Sequence, residues 1–175
     1  MTRRRSVATR IRRYGYQVFY RLPRGVRRRV VRLVSPTYTV GSVVLVRDSD
    51  GRILLVRQPP GHGWSLPAGM ANRGEEPAAC AARELAEETG LLVSVADLSP
   101  AVPNAVLHSK GRWVDFVFEA TVDSDEHTVE VDGAEILEAR WCSVQALPPL
   151  TVPAARLLAE YGIGPYVGYL DDRAR

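Results

Sequence analysis

Three glutamates, Glu84, Glu87 and Glu88, are spaced so that a helix would carry them on one side. At about 100° per residue they fall within an arc of about 100°. Because like charges at this spacing repel, a fold gains nothing from the cluster unless a cation lies on it. Carboxylate ligand sets suit hard cations such as Mg²⁺ or Mn²⁺. The pattern therefore predicts a metal site rather than an ordinary solvated acidic face.

The residues around this cluster predict the helix that carries it. Pro77 suits the first helical position, where its missing N–H is not needed. Gly90 suits the left-handed residue that ends a helix. Arg83 and Glu87 lie four residues apart and can pair, which would hold the acidic side in one arrangement. Two glycines in the preceding loop allow tight turns and the close approach of a polyanion.

The stretch from Gly69 to Leu91 resembles the signature of the Nudix hydrolase family. Written G-x5-E-x7-R-E-U-x-E-E-x-G-U, with U aliphatic, the signature is filled without a substitution by Gly69, Glu75, Arg83, Glu84, Leu85, Glu87, Glu88, Gly90 and Leu91. The segment Gly-Trp-Ser-Leu-Pro-Ala-Gly that ends at Gly69 is similar to the family's W-x-L-P-G-G lead-in, with Ala68 in place of the commoner glycine. The resemblance implies an α/β fold in which a mixed sheet is covered by helices, the family's α/β/α sandwich.

The resemblance also implies a reaction, the hydrolysis of a nucleoside diphosphate linked to another moiety, with water and Mg²⁺ or Mn²⁺. By the same resemblance, Glu84, Glu87 and Glu88 are metal ligands, and Glu84 orients or deprotonates the water. Glu75 is a further ligand or a partner of Arg83, which orients the carboxylates. The backbone carbonyl of Ala68 is also expected to reach the metal.

Residues outside the signature are weaker candidates. A late-loop base or ligand is expected at Glu135 or Glu138, and substrate contacts are expected from Arg57, Trp64 and Arg112. Trp113 fits either base stacking or the core. The expected substrate is a (d)NTP, an oxidised dNTP or a nucleotide sugar, since nothing after the signature marks one class. The alternative hypothesis is a nucleotide-sensing regulator or a nucleic-acid-binding module on the same fold.

Charge divides the chain unevenly. Residues 1–34 hold 12 arginines and no acid, a charge of +12; the other 141 residues hold 11 basic and 20 acidic residues, a charge of −9. The sequence predicts a helical arm over 1–36, a hydrolase domain over 37–162 and a tail over 163–175. Two cysteines form no disulfide framework and no apolar run reaches the ~20 residues of a membrane span, so a cytoplasmic protein is expected. One lysine against 22 arginines, with abundant Ala and Val, indicates a GC-rich bacterial genome. A homodimer is compatible with the family resemblance.

The arm is predicted to form two short amphipathic helices separated by Pro23 and Gly25. Three interpretations stay open at this point. The apolar sides dock on the domain, residues 1–34 bind nucleic acid or an anionic membrane, or the segment is a cleaved targeting sequence.

Alternating and β-branched patterns predict the remaining elements. Thr39–Arg47 and Ile53–Gln58 should form a hairpin across residues 48–51. Further strands are predicted at Leu91–Leu98, Trp113–Val122 and Ala139–Ser143, an acidic loop at 123–133, and a closing helix at Val152–Tyr161.

Overall fold

The computed structural model describes residues 7–108, 112–131 and 133–168. The first six residues of the predicted arm and the predicted tail beyond residue 168 lie outside these ranges. The chain divides into two compact units, one ending at Tyr38 and the other beginning at Thr39.

The first unit consists of two helices, α1 (Val7–Arg21) and α2 (Arg24–Val34). Pro23 lies between them at the N-cap of α2. None of the residues of α2 is buried, and the large apolar residues of α1 that include Ile11 and Tyr14 are exposed. Neither of the described helices therefore encloses its apolar side within this unit.

The second unit is a six-stranded mixed sheet with a helix on each side. Its strands are β1 (Thr39–Arg47), β2 (Ile53–Arg57), β3 (Ala68–Met70), β4 (Ser99–His108), β5 (Trp113–Thr121) and β6 (Glu138–Cys142). Its helices are α3 (Pro77–Thr89) and α4 (Val152–Ala159), with a 3₁₀ turn at Val95–Asp97. The strand order is β4-β5-β1-β2-β6, and β3 pairs with β1 beside this path. The β1–β5 pair is parallel and the other pairs are antiparallel. The predicted mixed α/β architecture is confirmed.

Strand β1 is buried on both sides, which explains its run of consecutive apolar residues. Val43 and Leu45 pack in a cluster that includes Leu157 of α4. Val44 and Val46 pack in a second cluster on the other side of the sheet, which includes Ala81 and Leu85 of α3. The apolar side of α3 is thus fixed against the sheet, and this fixes the direction of its acidic side.

The ends of α3 follow the local sequence signals. Pro77 stands at the start of the helix, and Gly90 adopts φ 72° at its C-terminal end. The Gly90 N–H donates to the Ala86 carbonyl at 2.9 Å, which closes the last turn. The helix predicted around the glutamate cluster is confirmed.

The strand predicted over Leu91–Leu98 is wrong. Ser94 instead begins the 3₁₀ turn, and its hydroxyl accepts a hydrogen bond from the Ala96 N–H at 3.2 Å. The alternating apolar residues are not all buried, because Val95 is exposed while Leu91 and Leu98 reach the core. The strand begins at Ser99 and contains Pro100 and Pro103, which argue against a strand in sequence. Both are accommodated because β4 is an edge strand with a register irregularity between Pro100 and Ala105.

The other predicted strands, the hairpin and the closing helix are confirmed within one or two residues. Ile163, which the sequence assigned to the tail, is buried in the core. None of the described helices is both long and apolar enough to cross a membrane.

Candidate active site

Gly69 lies directly against the Glu84 carboxylate. It sits on β3 opposite Ser42 of β1, and a Cβ placed on it would overlap the Glu84 side chain. The requirement for glycine here is therefore close approach rather than an unusual backbone angle. Gly74, further along the same loop, has φ 83° with open space around it, so the turn itself requires that glycine.

Arg83 is the centre of the charged cluster. Its Nε and Nη2 donate to the two carboxylate oxygens of Glu75 at 2.8 and 3.0 Å, a fork-shaped pair. Its Nη1 lies 2.8 Å from Glu84 Oε1 and 2.9 Å from Glu87 Oε2. Nη2 also donates to the Met70 carbonyl at 3.2 Å, which connects the helix to the segment from Gly69 to Gly74, here called the glycine loop. One guanidinium thus contacts three carboxylates.

These contacts stabilise the charged form of Glu75. The Arg83 hydrogen bonds, followed by the Asn72 N–H at 2.7 Å, hold the pKa of Glu75 down at about 2. Glu75 therefore stays ionised and bound to Arg83 at any ordinary pH.

Glu88 lies in a different environment, although it belongs to the same helix. It is 6% exposed, and its Oε2 accepts the Ala68 N–H at 2.9 Å while its Oε1 accepts from Gln58 Nε2 at 3.1 Å. Burial raises the pKa of Glu88 to about 7, with smaller contributions from the charges of Glu84 and Glu135. The two hydrogen bonds oppose this rise without cancelling it.

Ala68 is positioned by the β1–β3 ladder. The neighbouring hydrogen bonds, from Val44 N to Pro67 O and from Ala71 N to Val40 O, place Ala68 at a non-hydrogen-bonded position. Its N–H points away from β1 and donates to Glu88. The N–H and the carbonyl of a strand residue point to the same edge, so the Ala68 carbonyl also points away from β1, toward the side of Glu88.

The three predicted ligands are brought together on one side of α3 with different exposures. The Glu84 side chain is 15% exposed, the Glu87 side chain 60%. Among the described residues, no three carboxylate, imidazole or thiol groups converge on one point as a metal site. Arg83 holds Glu84 and Glu87, while Ala68 and Gln58 hold Glu88.

The late-loop candidates differ from one another. Glu138 begins β6 and pairs with Arg57 across the β2–β6 ladder, with Oε2 2.7 Å from Arg57 Nη2. Glu135 is exposed, and its charge acts on Glu88. Of the two glutamates, Glu135 is the one whose charge acts on a residue of α3.

The predicted substrate residues Arg57 and Trp64 lie beside each other. Trp64 is 7% exposed and packs in the core. The guanidinium carbons of Arg57 and Arg140 lie 5.7 and 4.6 Å from its ring centroid. This leaves little of the indole for a ligand. Arg112 is exposed, with φ 56°, and its carbonyl accepts the Thr39 N–H.

A cleft of about 350 Å³ opens beside Gly69. It is built where three strands lie side by side, and its lining comprises Thr39, Gly41, Ala68, Gly69, Met70, Trp113 and Asp115. Gly41 leaves room for Asp115, because a Cβ on Gly41 would lie 2.7 Å from Asp115 Oδ1. Gly69 is common to this cleft and to the carboxylate cluster.

The Asp115 carboxylate in the cleft contacts the side chains of Trp113 and His108. Asp115 Oδ2 accepts from Trp113 Nε1 at 3.2 Å. His108 Nε2 lies 3.0 Å from the same oxygen, without the geometry of a hydrogen bond. The His108 and Trp113 rings stack with centroids 4.5 Å apart. The sequence fits Trp113 to either role and does not single out Asp115 or Gly41. The i, i+2 spacing of Trp113 and Asp115 on β5 is a local signal, but the pairing of β5 with β1, which brings in Gly41, is not local.

Comparison with known proteins identifies the family of the second unit. A family model described as NUDIX domain matches residues 37–161. The chain belongs to the Nudix family. This Nudix chain is 30% identical over 162 residues to an RNA pyrophosphohydrolase from Caulobacter vibrioides, covering 78% of the chain and 90% of the relative. It is a Nudix hydrolase that acts on phosphoric anhydride bonds.

Two further comparisons differ in extent. A MutT NUDIX hydrolase structure from Burkholderia pseudomallei matches with a TM-score of 0.59 and 26% identity, covering 71% of this Nudix chain and 98% of that one. An octanoyltransferase from Myxococcus xanthus is 48% identical over 66 residues, but the match covers 36% of this chain and 18% of that protein. The chain thus spans less than a fifth of that relative.

Replacing Gly69 with alanine should abolish most hydrolysis while the domain stays folded. The new methyl group overlaps the Glu84 carboxylate, so Glu84 must leave its place. We expect a loss of roughly a hundredfold in kcat/KM, the usual effect of displacing one key electrostatic group. Gly74→Ala is the matched control, since its φ of 83° strains the loop without obstructing Glu84. Equal losses in the two variants would contradict the role given to close approach.

The metal-free protein should lose stability as the pH rises from 4.5 to 7. Glu88 titrates near pH 7 in the folded chain but near 4.5 when unfolded, so only the folded state holds the proton in this window. The difference amounts to about 3 kcal/mol between these pH values. Urea unfolding in EDTA measures it, and Glu88→Gln should remove this part of the slope. Glu76→Gln, at the exposed start of α3, should leave the wild-type slope; a slope unchanged in Glu88→Gln would show that Glu88 does not cause it.

Proposed function

We propose that this Nudix hydrolase is a Mg²⁺- or Mn²⁺-dependent pyrophosphohydrolase that cleaves a nucleoside diphosphate linked to another group. The observation that carries the proposal is the position of Glu84. Its carboxylate lies in direct contact with Gly69 and with the Arg83 guanidinium. The backbone of Gly69 also lines the cleft, so this one residue connects the carboxylate cluster with the space open to a ligand.

The donor set fits a hard divalent cation. Glu84, Glu87 and Glu88 offer only oxygen atoms, and the Ala68 carbonyl points toward the same side as Glu88. Glu88 is buried beside other acids with a raised pKa, the environment in which a cation would favour the ionised form. Bound there, the cation would neutralise the charge of a diphosphate and polarise its phosphorus–oxygen bonds. Release of Glu84 and Glu87 from Arg83 is the rearrangement this binding needs.

The chain's own residues then have separate roles. Glu84 orients the attacking water and accepts its proton, as the water oxygen bonds to phosphorus and the bridging P–O bond breaks. Arg83 stays anchored to Glu75, whose pKa of about 2 keeps that pair intact, and so holds the helix against the glycine loop. Glu135 is the candidate for a further base or ligand, since its charge already acts on Glu88.

The cleft supports a nucleotide substrate. Its volume of about 350 Å³ lies in the range of small-ligand sites. Trp113 offers an aromatic surface for a base, and Asp115 offers a carboxylate oxygen as acceptor for the N–H groups of a base edge. We therefore propose a (d)NTP, an oxidised dNTP or a nucleotide sugar. The RNA pyrophosphohydrolase relative adds a triphosphate at an RNA 5′ end to the substrates worth testing. Homodimer formation and a cytoplasmic location stay predictions.

Glu87→Gln should lower metal-dependent turnover by roughly a hundredfold or more, because it removes one charge from the cation site. The measurement is phosphate and pyrophosphate release with Mg²⁺ from (d)NTPs, 8-oxo-dGTP, nucleotide sugars, ADP-ribose and a 5′-triphosphorylated RNA. Turnover on at least one of these should disappear in EDTA. Glu76→Gln is the matched control, since that glutamate begins the same helix but its side chain makes no capping hydrogen bond.

Near-normal turnover in Glu87→Gln would show that Glu87 is not a ligand of the cation. Nucleotide binding without turnover of any substrate would favour the alternative hypothesis, a nucleotide-sensing regulator.

Asp115→Asn should raise KM by roughly tenfold and change kcat much less, because it weakens ground-state recognition of a base. The best substrate from the panel provides the assay. Glu126→Gln, an exposed acid in the loop after β5, should leave both constants unchanged. An equal fall in kcat with an unaltered KM would show that the cleft does not hold the base.

A further inference from the structure

We infer that α1 and α2 form a binding surface for an anionic lipid bilayer, a property beyond the hydrolase activity. Both helices leave large apolar side chains exposed to water. Ile11, Tyr14 and Leu33 are 68%, 70% and 86% exposed, and Val34 is also exposed. Scattered exposed apolar residues are ordinary, but these recur at helical spacing.

Helical geometry gathers these residues into one side of each helix. In α1, Ile11, Tyr14 and Val18 follow one another at three and four residues, the spacing of neighbours on one helix face. In α2, Val26 and Leu33 lie seven residues apart, two turns along the same side. Each helix therefore carries an apolar side.

Arginines occupy the flanks of these apolar sides and the sides opposite them. The nine arginines of the two helices are Arg10, Arg12, Arg13, Arg21, Arg24, Arg27, Arg28, Arg29 and Arg32. The first acid of the chain is Asp48, so no carboxylate in this unit neutralises them. Arginine at the edge of an apolar face can place its aliphatic stem along acyl chains and its charge among lipid phosphates.

The apolar sides favour a membrane over a nucleic acid. Arginines are sufficient to bind the phosphate backbone of a nucleic acid. In such a complex, aliphatic residues such as Ile11, Val18 and Leu33 would stay in water. At a bilayer surface, the acyl chains would contact the apolar sides of the helices while the anionic headgroups contact the arginines. Because α1 has 15 residues and α2 has 11, and neither is apolar enough to span, the helices would lie in the plane of the interface.

Sedimentation of the full-length protein with vesicles tests the inference. Phosphatidylglycerol mixed into phosphatidylcholine vesicles should bring the protein down, pure phosphatidylcholine should not, and added salt should weaken binding. Leu33→Gln should weaken binding roughly tenfold or more, since it removes an inserted side chain and keeps every charge. Leu92→Gln is the matched control, because Leu92 is equally exposed, at 84%, but lies outside the arm.

The charge contribution is tested separately. Arg28→Gln should weaken binding to the anionic vesicles by roughly fivefold, and Arg156→Gln, an exposed arginine on α4, should not. Hydrolysis at the wild-type rate by all four variants shows that the hydrolase domain is folded, and an unchanged helical circular dichroism signal shows that α1 and α2 are kept.

Two results would overturn the inference. One is binding to a single-stranded RNA oligonucleotide, but not to vesicles, that Leu33→Gln leaves unchanged; this would make the arm a nucleic-acid surface. The other is no binding to either partner, which would leave the apolar sides as a docking face for the chain itself.

Discussion

The contact of Arg83 with three carboxylates is the constraint on which the site depends. Without a cation at its centre, the acidic side of α3 would carry uncompensated like charges next to a packed sheet. Arg83 offsets this repulsion while making a fork-shaped pair with Glu75 and a hydrogen bond to the Met70 carbonyl. The same side chain therefore stabilises the helix and fixes the glycine loop. A compact point charge could not do both, because the planar fork places its donors in several directions at once.

The sheet supplies the second half of the site. Because β1 pairs with β3 along one edge and with β5 along the other, Gly41 stands between Met70 and Asp115. Two glycines then do similar work at neighbouring places: Gly69 admits the Glu84 carboxylate and Gly41 admits that of Asp115. Close backbone packing thus brings the acidic side of α3 and the cleft around Asp115 together at Gly69. Burial of β1 on both sides keeps this arrangement fixed.

Local signals in the sequence predicted α3 well and the cleft poorly. Pro77, Gly90 and the periodic apolar residues specify the helix within a stretch of about fourteen residues. Alternation over Leu91–Leu98 failed because the capping hydroxyl of Ser94 turns the chain there, and β4 was missed because its prolines are tolerated only at an edge. Trp64 looked available for a substrate but is covered by two arginines and the core. Such facts depend on pairing between distant segments, which no window of sequence contains.

The three glutamates of α3 share one chemical type, but their environments give them different properties. The Glu87 side chain is largely exposed to water, and the Glu84 carboxylate contacts Gly69 and Arg83. Glu88 is buried, and its carboxylate accepts hydrogen bonds from the Ala68 N–H and the Gln58 side-chain amide. Burial raises the pKa of Glu88 to about 7, so of the three it gains most from a neighbouring positive charge. Arg83 does not supply that charge, because its contacts go to Glu75, Glu84 and Glu87. The fold thus keeps a deep carboxylate apart from its own arginine, so a cation from solution is the charge that would stabilise its ionised form.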